Sequence, residues 1–177
     1  MNLSPFTKKV LENTGARVVI KEGFFWTLLH YVVLIITFGG NKSFKTGFVT
    51  TIGPIIGVPK SWEGSPPHTS KDITIAHELV HVEQFKKCGL GNAWLGIPIM
   101  LVLYIGLPLP IGFAWTRWML ERRAYLANVL LTKQHYGKLA AEVESRRAVK
   151  TLFSGNYGWT LFSFMRDYAT NWFLKQI

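Results

Sequence analysis

The chain has 177 residues, 49% of them hydrophobic and seven of them Trp, with 20 Lys plus Arg against 10 Asp plus Glu for a formal net charge of +10. That length accommodates one domain with a real core, spanning 1–177, and leaves two domains cramped. A single cysteine, Cys88, excludes an intramolecular disulfide. The basic residues are spread in pairs (Lys8-Lys9, Lys86-Lys87, Arg122-Arg123, Arg146-Arg147) with no dense tract, which argues for an anionic membrane surface over nucleic acid as partner.

Ser4 as N-cap, Pro5 at the first helical position and Gly15 as a stop predict a short amphipathic helix over 4–14. ARVVIKEG, 16–23, predicts a brief strand. FFWTLLHYVVLIITF, 24–38, is apolar apart from Thr27, His30 and Thr37. As a helix of roughly 22 Å it falls short of the roughly 30 Å hydrocarbon core, so a buried or interfacial segment is expected rather than a crossing. No small-residue cleavage site follows, and no cleavable signal peptide is expected. Between 43 and 58, β-branched residues and glycines predict two strands, the second made an edge strand or broken by Pro54. PKSWEGSPPHTS, 59–70, reads as a loop. Thr69-Ser70 with Asp72 supply a cap signal and Cys88-Gly89 a stop, so a helix is expected over 71–87. Further helices are expected over 113–135, 138–153 and 159–175. The fold class is α+β, helix-dominated after residue 70, with a small N-terminal sheet.

The 71–87 helix carries His77-Glu78-Leu79-Val80-His81. Two histidines at i and i+4 share a helix face roughly 6 Å apart, so both can reach one tetrahedral Zn²⁺. Glu78 lies beside the first ligand, placed to accept a proton from water rather than to bind the metal. Ile73, Ala76, Leu79 and Val80 give the motif an apolar surround.

A hydrolytic zinc keeps three protein ligands and one open position. VEQFKKCGLG, directly after His81, offers no further histidine, and the only later one is His135. The stronger candidate is Glu121 in MLERRAYLAN, which shares a helical face with Ala124 and Tyr125; the small alanine would let this helix pack closely on the first. A surface ion pair of Glu121 with Arg117 or Arg123 is the alternative.

His77-Glu78-Leu79-Val80-His81 followed by Glu121-Arg122-Arg123-Ala124-Tyr125 resembles the gluzincin metallopeptidases, in which a second helix carries an E-x-x-A-type motif. The resemblance implies a zincin-like fold, zinc bound by His77, His81 and Glu121, and Glu78 as catalytic base. The membrane-embedded members usually carry an acidic residue where this chain has Tyr125.

Between the two motifs lies LGIPIMLVLYIGLPLPIGFAW, 95–115, long enough to span a membrane and uncharged. One straight crossing would part His81 from Glu121, whereas Gly106, Pro108, Pro110 and Gly112 provide a break. Lys86 and Lys87 before the run and Arg117, Arg122 and Arg123 after it place both ends on one side, the cytoplasmic one. A hydrophobic hairpin over 93–115 is expected, dipping into one leaflet or docking on another subunit; the alternative is a hairpin buried in a soluble core.

The expected function is zinc-dependent hydrolysis of a peptide or protein substrate at a membrane surface. Tyr125, His135 and Tyr157, in that order, are candidates to stabilise the oxyanion, and the 48–58 strands offer an edge for an extended substrate. The alternative is a non-catalytic zincin-fold binding module with structural zinc, its sphere closed by His68 or Glu83. A basic nucleic-acid binder is a third class, for which the sequence has no groove-reading motif.

Overall fold

The computed structural model describes residues 3–36, 42–105, 110–154 and 165–177. They form α1 (Pro5–Thr14), β1 (Arg17–Ile20), α2 (Phe24–Ile36), β2 (Thr50–Ile52), β3 (Ile55–Val58), α3 (Thr69–Cys88), α4 (Gly96–Ile105), α5 (Pro110–Tyr136), α6 (Lys138–Leu152) and α7 (Arg166–Leu174), with a 3₁₀ turn at Lys60–Trp62. This is the helix-dominated α+β class with a small N-terminal sheet. Helix α1 begins as its sequence dictates: the Thr7 N–H donates to Ser4 Oγ at 3.2 Å, and Gly15, at φ +64°, ends it.

The sheet order is β1-β3-β2, with β3 parallel to β1 and antiparallel to β2. Strand β3 is therefore central, not an edge. Pro54 does not break it, because it lies in the Gly53-Pro54 turn where no ladder donor is required; its carbonyl accepts the Arg17 N–H at 2.8 Å. Alternation along β3 sets the two faces of the sheet. Ile56 and Val58 point into a core with Leu3, Leu11, Ile75, Leu79 and Val82 from the N-terminal segment, α1 and α3. Gly57 points the other way, beneath the Trp26 indole of α2, where an added Cβ would lie 2.3 Å from the ring. Only glycine lets α2 approach so closely.

Helix α3 starts at Thr69, two residues before the expected 71, and its cap is His68 rather than Thr69 or Ser70, its Nδ1 accepting the Ser70 N–H at 3.1 Å. Asp72 instead accepts the hydroxyls of Ser4 (2.8 Å) and Thr7, tying α1 to α3. Helix α3 packs on α5 and α4, α5 on α6, and α6 on α7. Gly96 lets α4 abut α3, since a Cβ there would meet the Phe85 carbonyl. Trp118, Tyr125, Val129, Ala148 and Phe173 anchor the core of the C-terminal helices. Helix α5 begins at 110 and α7 at 166; residues 155–164, including Tyr157 and the start of the expected fourth helix, lie outside the described residues. So do Gly106 and Pro108 at the expected hairpin apex, whereas Pro110 and Gly112 fall in the first turn of α5. Among the described residues, no helix is long and apolar enough to cross a membrane.

Candidate metal centre

The i, i+4 spacing on α3 brings the Nε2 atoms of His77 and His81 to 3.3 Å from each other. Helix α5 brings Glu121 to the same point, its Oε2 lying 3.5 Å from His77 Nε2 and 3.7 Å from His81 Nε2. Glu121 is 3% exposed, so it is no surface ion pair, and Ala124 beside it on α5 is fully buried. Ligands at about 2.05 Å from a tetrahedral ion stand about 3.4 Å apart; all three separations fall near that edge. Two imidazoles and a carboxylate also suit a borderline divalent ion. His77, His81 and Glu121 could therefore hold a metal ion, and they are the one such group among the described residues.

A second layer positions these side chains. His81 donates through Nδ1 to Gln84 Oε1 at 2.9 Å, and Gln84 Nε2 donates to the Leu120 carbonyl at 2.9 Å. Gln84 thus fixes one imidazole and clamps α3 to α5 at the residue preceding Glu121. Its place at i+3 from His81, on the ligand face, is the only sequence signal that could have found it. Gln84→Leu is expected to weaken metal binding by about 10–100-fold without loss of helicity, measured by competition with a chromophoric chelator. His77 Nδ1 is buried without a hydrogen-bond partner among the described residues, and the Tyr125 ring stands edge-on to its imidazole at 4.7 Å between centroids.

Glu78 is buried beside the ligands, and its Oε2 accepts the Thr51 hydroxyl at 2.7 Å. Thr51 lies on β2, so the sheet aligns the carboxylate. Behind it, Lys21 is 2% exposed. Its three ammonium donors are used by the carbonyls of Phe44 (2.8 Å) and Phe48 (2.9 Å) and by Thr50 Oγ1 (2.7 Å), under the Phe44 ring at 4.1 Å. Burial lowers the Lys21 pKa to about 8, the Glu78 charge opposing. Lys21 thereby anchors the segment that leads into β2. Lys21→Met leaves those acceptors without their donor and is expected to cost about 2–3 kcal/mol, read from the urea midpoint at unchanged m-value.

Burial works to lower the His81 pKa, but the adjacent Glu121 carboxylate, aided by Glu78 and Gln84, raises it to about 9. Burial works to raise the Glu121 pKa, but the His81 charge and the two imidazole nitrogens facing the carboxylate lower it to about 2. Without a metal, the site is therefore held by an imidazolium–carboxylate pair.

Of the other sequence candidates, His68 caps α3 and Glu83 accepts from Lys86 at 2.9 Å; neither joins the cluster. His135 lies in the last turn of α5, tilted against Tyr136. Thr51, Gln84 and Lys21 were not singled out from the sequence. Comparison with protein-family models, with curated proteins and with solved structures finds no match for this chain.

Proposed function

We propose that this protein is a zinc-dependent metallopeptidase of the gluzincin type. It would hydrolyse peptide bonds of a peptide or protein substrate at the cytoplasmic face of an anionic membrane. The observation that carries this reading is the triangle of 3.3, 3.5 and 3.7 Å among His77 Nε2, His81 Nε2 and Glu121 Oε2, with Glu78 alongside and outside the ligand set. A zincin-like fold in which 93–115 inserts an apolar hairpin between the two metal-binding helices belongs to the same proposal.

Three protein ligands leave a fourth tetrahedral position open. Zinc, when bound, supplies a Lewis acid that acidifies water and polarises a carbonyl. Glu78, held at one oxygen by Thr51, takes the proton from water and delivers it to the leaving amine. Tyr125, against His77, is the proposed oxyanion donor. Strand β2, which carries Thr51, pairs only with β3 among the described residues and has an edge for an extended substrate. The test is zinc content together with cleavage of a peptide library by wild type and Glu78→Gln. Equal zinc with cleavage by wild type alone supports the enzyme; an inert wild type with zinc bound rejects it.

The depth of the ligands favours one alternative. With His77, His81 and Glu121 all buried, zinc would be structural and the chain a binding module. In that case the metal supports stability, and Glu78→Gln changes nothing else.

A further inference from the structure

We propose that the outer face of α2 is a docking surface for an anionic lipid bilayer, lying in the headgroup region parallel to the membrane. This rests on, and makes specific, the membrane-side placement proposed above. Phe24, Phe25, Leu28, Tyr31, Val32 and Ile35 are all exposed, from 40% at Val32 to 83% at Phe24. At 3.6 residues per turn these six positions fall within an arc of about 120°. Trp26 is buried and Thr27, Leu29, His30, Val33 and Leu34 are partly buried. Trp26, 5% exposed, covers Gly57, and His30 stacks on Phe44 with ring centroids 6.3 Å apart. The apolar stripe is thus the side of α2 that stands exposed, with none of the described residues packed over it. Six exposed large apolar side chains on one stripe are characteristic of an interaction surface rather than of ordinary scattered exposure.

Length and charge select the occupant. Thirteen residues span about 20 Å, too short for the roughly 30 Å hydrocarbon core, so the helix lies in the interface plane. No Asp or Glu occurs between Glu22 and Glu63, whereas Lys42, Lys45 and Lys60 do. Lys60 is neutralised by Glu22 at 2.8 Å. Lys42 is exposed, and Lys45 Nζ donates to Thr27 Oγ1 at 3.0 Å, which places a cation on the flank of α2. The half-exposed Phe48 belongs to the same segment. An anionic leaflet answers both features, taking up the apolar stripe and pairing with the lysines. A second copy of this chain would bury the stripe but bring the same cations together, with Glu22 as the one nearby carboxylate and that already paired with Lys60.

The experiment is co-sedimentation of the full-length protein with large unilamellar vesicles of phosphatidylcholine alone or with added phosphatidylglycerol. Expected is binding that requires phosphatidylglycerol, weakens with salt, and falls at least about tenfold in Phe25→Glu/Ile35→Glu. Circular dichroism confirms that this variant is folded; Lys42→Glu/Lys45→Glu, which leaves the stripe intact, is expected to weaken binding to the anionic vesicles as well. Glu78→Gln is expected to bind vesicles like wild type, so failure of the hydrolase reading leaves this result standing. Three results would overturn the proposal: unchanged vesicle binding in both double variants, no binding to either vesicle, or a wild-type dimer in sedimentation equilibrium that Phe25→Glu/Ile35→Glu dissociates.

Discussion

Glu121→Ala is expected to abolish zinc binding at working concentrations and to destabilise the metal-free fold. The carboxylate is the only anionic atom among the three converging donors, standing 3.5 and 3.7 Å from the two imidazole nitrogens. Loss of a residue that merely orients a ligand weakens a site about 10–100-fold; loss of a ligand should exceed about 100-fold. In the metal-free protein the same substitution leaves His81 buried without its counter-charge, and breaking a buried pair in this way costs about 3–5 kcal/mol. The pH dependence follows from linkage. Glu121, lowered from 4.5 to about 2, contributes stability that is present above pH 4.5 and lost as pH falls toward 2. His81, raised from 6.5 to about 9, contributes stability that is present below pH 6.5 and lost as pH rises toward 9. Chelated wild type should therefore be most stable between about pH 4.5 and 6.5 with respect to this pair. Glu121→Ala should flatten the decline above pH 6.5. Urea titrations of chelated wild type and variant from about pH 4.5 to 9 measure both effects.

For the proposed hydrolase, the largest kinetic effect is expected from Glu78→Gln, with kcat reduced by about 10²–10⁴. Glutamine keeps the shape of the side chain, and its carbonyl oxygen can still accept the Thr51 hydroxyl that binds Glu78 Oε2 at 2.7 Å. What it lacks is the ability to take a proton. KM should therefore change little and zinc content not at all, since Glu78 lies outside the ligand triangle. Steady-state kinetics on a cleaved library peptide, with zinc measured in the same samples, separates the outcomes. Loss of zinc in Glu78→Gln would make Glu78 a ligand and end its assignment as the base.

The parts of the site that depend on local spacing were legible in the sequence. His77 and His81 converge because a helix puts i and i+4 on one face, and Glu121 meets them because its helix must return across α3. Thr51 and Lys21 were not legible, and Gln84 only by its place at i+3 from His81, because the contacts that define their roles reach partners distant in the chain. Gln84 reaches the Leu120 carbonyl, Thr51 reaches Glu78, and Lys21 reaches the carbonyls of Phe44 and Phe48. The main-chain acceptors of Gln84 and Lys21 carry no residue signature, and the Thr51–Glu78 pairing depends on how β2 packs on α3. Pro54 shows the opposite failure. Its missing N–H limits which strands it can join, but a position one residue before β3 removes the limit. The two polar residues of α2, Thr27 and His30, lie on the side that packs on protein, so polarity could not mark the exposed face; the packing of Trp26 on Gly57 does.

The centre itself is tested most directly by zinc-edge X-ray absorption on the purified, zinc-loaded protein. Two imidazole nitrogens and oxygen ligands at about 2.0–2.2 Å, with no sulfur, are predicted for His77, His81 and Glu121 with an open position. A zinc-free protein that takes up no metal, or sulfur scattering at about 2.3 Å from Cys88, would contradict it.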